Sequence, residues 1–362
     1  MSLYHSKYGS PRQKQKKGPL RKILIWLLVV LIVVAGGAAY YLYRVIFDPN
    51  TWTPEGKTVS ITIPTASNFE DVKQILYQNG LIIHRKNFEW LAQKKKYPKM
   101  VMPGMYQIRN GMSSNELINL LRSGEQTPVN VTFNNIRDVY QLAGVIGKQI
   151  EADSASIANL LSDTTYIRAM GVKPATVTII FIPDTYEFYW NTTAEGFIER
   201  MYKEYLKFWN GSRSNLAADM DLRVDEVVTM ASIVEKETNK NDERAAIAGV
   251  YYNRLESGWR LQADPTLVYA FGDFNITRVL NEHKKIDSPY NTYAHLGLPP
   301  GPICIPSIAS IDAVLNYRKA DYMFFCAKDD MSGYHVFAKS NRGHSQNAKK
   351  YREALNRMKI YK

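Results

Sequence analysis

The sequence predicts a mixed α+β protein carried on a single N-terminal transmembrane helix. Three observations lead there. A basic stretch precedes an uncharged apolar run, strand-like and helix-like segments alternate without a regular βαβ rhythm, and hydrophobic residues make up 45% of the chain against 22% charged. That composition is globular, and 362 residues suffice for two domains of ordinary size.

The net charge of +12 invites a nucleic-acid reading, but its location argues against one. Lys7, Arg12, Lys14, Lys16, Lys17, Arg21 and Lys22 all lie in residues 1–22, with no Asp or Glu among them. Ile23 to Tyr43 follows without a charge. At 1.5 Å per residue such a helix spans a hydrocarbon core of about 30 Å. Trp26 stands near one end and Tyr40, Tyr41 and Tyr43 near the other, as interfacial residues do. The basic side stays cytoplasmic, so residues 44 onward are expected outside the cytoplasm. A cleaved signal peptide is the alternative, with Ala35–Ala39 resembling a cleavage site. Its apolar core is shorter, however, and here the run continues past the small residues.

Residues 44–57 read as a polar, proline-containing linker. The next segment, 58–127, reads strand, helix, helix, strand, helix. "VSITIP" alternates; "ASNFEDVKQILYQNGLI" has helical spacing, with Ser67 as N-cap and Gly80 as stop; "NFEWLAQKKK" is a short helix; "PGMYQI" is a strand; and "SSNELINLLRSG" ends at Gly124. The region 128–362 starts with the strand "VNVTF". Short helices, the strand-like "VTIIFIP" and a helix at 194–209 follow. Val224 to Thr238 then has helical spacing, and a helix capped by Asn241 stops at Gly258. Residues 259–307, rich in Gly, Pro, Asn and Tyr, are too irregular for a long element. "YMFFCA" and "GYHVFA" form a hairpin, and a last helix covers 344–358.

Four stretches carry candidate chemistry. In "ASIVEKET", a helical wheel puts Glu235 and Glu237 on opposite margins of an apolar arc, with Lys236 pointing away. A carboxylate at such a margin is partly desolvated, which raises its pKa toward that of a general acid. Solvated charges at a helix end explain the pair equally well, and the wheel does not choose between the glutamates. "RLQADPTLVY" contains Asp264 before Pro265, where a helix cap is the simpler role. "SPYNTYAHLGLPPGPI" puts tyrosines and an amide on a proline-stiffened loop suited to a sugar, or to packing. "FIPDTYEFYW" sets aromatics beside carboxylates, as in a cleft or an amphipathic strand. His335 and His344 near the chain end are candidates to orient a substrate or ordinary polar packing. Cys304 and Cys326 lack metal spacing and read as buried thiols or one disulfide; no HExxH occurs, so neither a metal nor a cofactor is expected.

Taken together, "FIPDTY", "ASIVEKET", "RLQADPT", "YNTY" and "GLPPGPI" resemble, in order and separation, the endolytic murein transglycosylases, the YceG-like family. The resemblance covers the chain from about residue 20 onward. It implies a membrane-anchored lyase that cuts nascent peptidoglycan between MurNAc and GlcNAc and leaves 1,6-anhydroMurNAc ends. The small 58–127 module would be LysM-like and 128–362 catalytic. Glu237, the second glutamate of "EKE", would be the catalytic acid–base, with Glu235 in support and as the fallback. Gln262, Asp264, Thr266, Tyr290, Asn291 and Tyr293 would line the glycan cleft. Implied partners are peptidoglycan strands, the inner membrane and synthases of the elongation or division machinery, but no nucleic acid. A hydrolytic muramidase and a non-catalytic wall-binding scaffold are the alternatives. Two stretches depart from the family pattern, "PICIPS" after "GLPPG" and "HVFAKSNRGHSQN" around His344.

Overall fold

The computed structural model describes Gly9, residues 19–276 and residues 279–358; Lys7, Arg12, Lys14, Lys16 and Lys17 lie outside the described residues. The first helix, α1 (Pro19–Phe47), outruns the expected 23–43 span at both ends. Its apolar side chains from Ile23 to Val34 are exposed around the whole circumference. Within it, Leu20–Phe47 is long and apolar enough to cross a membrane, with a mean hydropathy of 2.7. The chain divides into two compact units, meeting at Gln126 and Thr127.

In the first unit, β1 (Val59–Ile63) is followed by α2 (Phe69–Gln78), α3 (Arg85–Lys94), β2 (Gly104–Ile108) and α4 (Ser114–Ser123). The strands pair antiparallel, with Val59 opposite Ile108 and Ile63 opposite Gly104. Ile61, Ile63, Val72, Leu76, Phe88, Tyr106 and Leu117 form the core. Asn68, rather than Ser67, caps α2, because its side chain and that of Asp71 close a reciprocal capping box. The expected linker is not a free tether. Asn50, Thr51 and Thr53 are buried, and Asn50 Nδ2 donates to Ser114 Oγ at 2.7 Å. Short polar side chains can satisfy backbone groups locally, so a polar composition does not by itself mean solvation.

The second unit begins with β3 (Val129–Thr132). Three helices follow: α5 (Val139–Ile146), α6 (Ser154–Ser162) and α7 (Thr164–Ala169). The apolar "VTIIFIP" does not form a strand: Pro174–Ile180 is a buried 3-10 segment. A short apolar run fits a buried helical turn as well as a strand. The partner of β3 is β4 (Thr185–Phe188), antiparallel to it. Then come α8 (Ala194–Phe208), α9 (Ser212–Asp219), α10 (Val224–Glu237) and α11 (Asn241–Glu256). Lys240, one residue before the expected Asn241, is the N-cap of α11. The region expected to be irregular holds α12 (Asp264–Phe271). The chain continues through α13 (Ile308–Leu315), the antiparallel hairpin β5 (Phe324–Ala327) and β6 (His335–Ala338), and α14 (Asn341–Arg357).

The helix α10 is the hub of this unit. Every residue from Val227 to Val234 is buried, so it is enclosed on all sides rather than amphipathic. The proline-rich loop before α13 seats on it: Ser232 Oγ accepts from Ile303 N at 3.0 Å and donates to Thr229 O at 2.7 Å. Cys304 packs beside Ser232, and burial pushes its thiol up to about 12. Cys304 and Cys326 are both free, so they do not form a disulfide.

Gly301 in this loop presses on the 3-10 segment. A Cβ there would stand 2.2 Å from Ala175 O. Gly301→Ala is therefore expected to destabilise the unit by about 2 kcal/mol or more through backbone displacement. Thermal unfolding of the variant measures this, and an unchanged melting temperature would show that the loop yields freely.

Candidate active site

The last turn of α10 sends its two glutamates to different surroundings. Successive residues are about 100° apart, so Glu235 and Glu237 are separated by about 200°. Glu235 turns toward α13. Its Oε2 accepts from Ser307 Oγ at 2.6 Å, Ser310 Oγ at 2.5 Å and Ser307 N at 3.3 Å, and its Oε1 lies 3.4 Å from Arg244 Nη2. Burial pushes its pKa upward. The serine bonds and the Arg244 charge outweigh that, and the net direction is down.

Glu237 turns into a cleft of about 520 Å³. There Tyr251 on α11 donates its hydroxyl to Glu237 Oε1. Burial pushes the Glu237 carboxyl up to about 7. The Tyr251 bond and the Arg254 cation oppose the rise, and the Asp264 charge adds to it. With fewer bonds to its charged form than Glu235 has, this carboxyl is the one that desolvation wins. Lys236, between them, is exposed.

Asp264 does not cap α12. Ala263 occupies the cap position without a side-chain bond, and Asp264 Oδ1 instead accepts from Tyr293 Oη at 2.5 Å. Burial and the neighbouring Asp264 and Glu237 hold the Tyr293 hydroxyl well above the usual tyrosine range. Gln262 also faces the cleft, from a left-handed backbone with φ of 52°. That conformation costs a non-glycine residue about 1 kcal/mol, and such strain concentrates at working sites.

The remaining expected cleft residues do not line it. Thr266 is fully buried; its hydroxyl donates to Ala263 O at 2.7 Å and lies 2.9 Å from Thr292 Oγ1. Asn291 is also fully buried. It donates to Lys284 O and Ile286 O and accepts from the backbone of Tyr293 and Ala294. The ring of Tyr290 packs on Tyr269, with centroids 4.7 Å apart. These three shape the loop that presents Tyr293, so their polar groups are consumed by the scaffold.

A model of the YceG-like family matches residues 61–350. The chain belongs to that family. Among YceG-like relatives, the endolytic murein transglycosylase of Bacillus subtilis is 32% identical over 315 residues, 83% of this chain and 86% of that one. The endolytic murein transglycosylase of Streptococcus pneumoniae is 31% identical over 323 residues. The match covers 80% of this chain and 58% of that relative's own length. The crystal structure of a yceG-like protein from Listeria monocytogenes matches with a TM-score of 0.54 at 27% identity, covering 80% of this chain and 98% of that chain.

The YceG-like cleft also contains groups that the sequence reading missed. Arg254 on α11 is buried, with no carboxylate within 4.0 Å among the described residues. Its Nε donates to Met323 O at 2.8 Å and its Nη1 to Leu261 O at 2.6 Å. His344, one of the two histidines the sequence offered as candidates to orient a substrate, also lines the cleft and stacks on Phe324 with centroids 5.3 Å apart. Its Nδ1 is buried without a partner among the described residues, and burial with the Arg254 charge lowers its pKa. His335 is structural: its backbone N and its Nδ1 reach the buried Glu243 at 2.7 and 3.0 Å, tying β6 to α11. Of "FIPDTYEFYW", no residue lines this cleft; Phe181 and Phe188 are core. Tyr251 and Arg254 were detectable only as an i,i+3 pair on one helix face, too common a pattern to single out.

The two glutamates should differ in stability measurements. Glu237 binds its proton more tightly folded than unfolded, so the stability it contributes is complete below its ordinary 4.5 and lost as pH rises through about 7. Glu237→Gln is expected to stabilise the protein at pH 8 by about 2 kcal/mol, and the gain should shrink to below about 1 kcal/mol at pH 5. Glu235→Ala should cost about 3 kcal/mol at pH 8, because it strands Arg244. Melting curves at both pH values test the pair, and equal responses would contradict the assignment of environments.

Proposed function

We propose that this protein is a membrane-anchored endolytic lytic transglycosylase of peptidoglycan, with Glu237 as its single acid–base. The observation that carries this reading is Glu237 itself: a carboxyl raised to about 7 in a cleft, with one oxygen held by Tyr251. Near neutral pH a large fraction of such a group is protonated and able to act as a general acid. The names of the Bacillus and Streptococcus relatives support the substrate class.

In this mechanism the MurNAc–GlcNAc bond lies across Glu237. Tyr251 occupies Oε1, leaving Oε2 to carry the proton. Glu237 gives that proton to the glycosidic oxygen as the bond from the MurNAc anomeric carbon breaks. The C6 hydroxyl of the same MurNAc attacks that carbon and closes the 1,6-anhydro ring. Glu237, now a carboxylate, takes the hydroxyl proton and is restored. No water is consumed, and the intramolecular attack gains from proximity. The Arg254 charge favours the transient carboxylate, while desolvation favours its return to the acid. Gln262, Asp264 and Tyr293, which line the same cleft, would bind the sugars. In this reading α1 is a single-pass anchor in the inner membrane, with the basic tail cytoplasmic and the rest outside. The β1–α2–α3–β2 module is then LysM-like and binds wall glycan, and synthases of elongation or division are the partners.

Asp264 favours a second reading, a hydrolytic muramidase. Hydrolysing glycosidases use two carboxyl groups, and Asp264 lines the cleft that holds Glu237. Product ends separate the two.

Purified glycan strands treated with the full chain in detergent are expected to yield anhydro-ended fragments by mass spectrometry. Reducing ends would establish the muramidase instead. Glu237→Gln is expected to lower the rate at least about 10³-fold. The wild-type kcat/KM should fall as pH rises through about 7, the direction for an acid that must be protonated in the free enzyme. A rate that rises through that range would exclude Glu237 as the acid.

A further inference from the structure

Lys236, the middle residue of "EKE", has no part in the mechanism above, yet it lines a cavity of its own. This second cavity, of about 390 Å³, lies beside the cleft and shares a wall with it. Glu237 and Asp264 face the cleft, while their chain neighbours Lys236 and Pro265 face the second cavity. The wall is thus the last turn of α10 and the first turn of α12.

The polar lining of this cavity consists largely of donors. Lys236 Nζ donates to Asn135 Oδ1 at 3.3 Å, which occupies the amide oxygen and leaves Nδ2 without a partner among the described residues. Arg137 N donates to Gln141 Oε1 at 2.8 Å, and Gln141 Nε2 likewise has no partner among the described residues. The Arg137 guanidinium lies 3.9 Å over the Phe274 ring, and its Nε is buried without a hydrogen-bond partner among the described residues. Asp138 Oδ2 lies 3.8 Å from Arg137 Nε, beyond hydrogen-bond distance, while its Oδ1 caps α5 through Gln141 N. Lys236 has no carboxylate within 4.0 Å among the described residues, although it follows one glutamate and precedes another. Val268, Phe274 and Ile303 supply apolar surface between these groups, and the Tyr269 hydroxyl can donate or accept.

Two cations and two amide donors around an apolar surface match a carboxylate attached to a small apolar group. The glycan itself is neutral along its ring edges. The carboxylates of the polymer are on the stem peptide carried by the MurNAc lactyl group, or on that lactyl group when the peptide has been removed. We propose that the Lys236–Arg137 cavity is a stem-peptide subsite that holds a peptide carboxylate, with a short side chain such as the alanine methyl on the apolar surface. This rests on the peptidoglycan reading of the neighbouring cleft. It makes the enzyme prefer strands that still carry peptides.

The test separates binding from cleavage. A soluble stem pentapeptide, as the free acid and as the C-terminal amide, is titrated into the full chain in detergent carrying Glu237→Gln. The acid is expected to bind at least tenfold more tightly than the amide, and Lys236→Met or Arg137→Met should abolish the difference. Equal affinity for the free acid, its C-terminal amide and its internal-glutamate amide, or no binding, would overturn the proposal. If amidation of the internal glutamate carboxyl removes the preference and C-terminal amidation does not, the internal carboxylate is the group held. In cleavage assays, Lys236→Met should lower the ratio of kcat/KM on peptide-bearing strands to that on denuded strands at least tenfold, mainly through KM. An unchanged ratio would overturn it, whereas a cavity that holds the lactyl carboxylate would raise the ratio and is likewise incompatible. A wild type that binds the peptide acid but cuts no glycan would refute the transglycosylase reading and leave this subsite standing.

Discussion

The arrangement of the second unit depends on how Glu235 is held. Its carboxylate gathers Ser307, Ser310 and Arg244, drawn from the loop before α13, from α13 and from α11. Such a charged hub is stable only if its partners are all present, because an unpaired buried carboxylate is costly. Once it is complete, the rotation of α10 about its axis is set. Glu237, about 200° further round, must then face the other way, toward Tyr251 and Arg254.

Two carboxylates two residues apart thus shift to opposite sides of the ordinary carboxylate value by the same physics applied in different amounts. Both are desolvated. Glu235 receives several donors and a cation and stays ionised. Glu237 receives one phenolic donor and a more diffuse positive field, and rises to about 7. Separating the roles of neighbouring carboxyl groups by environment is a general device of sites that run acid chemistry near neutral pH. The instability of a charged Glu237 is the energetic cost of keeping a proton available.

The helix enclosing this chemistry is also a partition. Lys236 and Pro265 turn away from the cleft that Glu237 and Asp264 face, so consecutive residues serve two cavities. The Gly-Pro loop braces the partition through Ser232, and Gly301 fits where the backbone of Ala175 leaves no room for a Cβ. The "PICIPS" departure from the family pattern falls at this brace: Cys304 packs beside Ser232, and Ser307 is a partner of Glu235.

Patterns with a local physical cause were legible before any coordinates. The apolar run of α1, the capped helices of the first module, the buried periodicity of α10 and the hairpin of β5 and β6 follow from side-chain period and turn chemistry. Order and spacing of five short motifs likewise pointed to the family and to Glu237, Gln262, Asp264 and Tyr293. Other features needed the folded chain. That "VTIIFIP" coils, that Asp264 bonds Tyr293 instead of capping α12, and that Thr266, Tyr290 and Asn291 turn inward depend on partners 21 or more residues away or on enclosure. Tyr251 and Arg254 escaped notice for the same reason, since nothing in their own neighbourhood marks them. The sequence alone determined which residue types were available and which face of each helix was apolar. The tertiary structure decided which of two equivalent glutamates lost its water and which kept its charge, because desolvation and donor count exist only once distant segments have packed around a side chain.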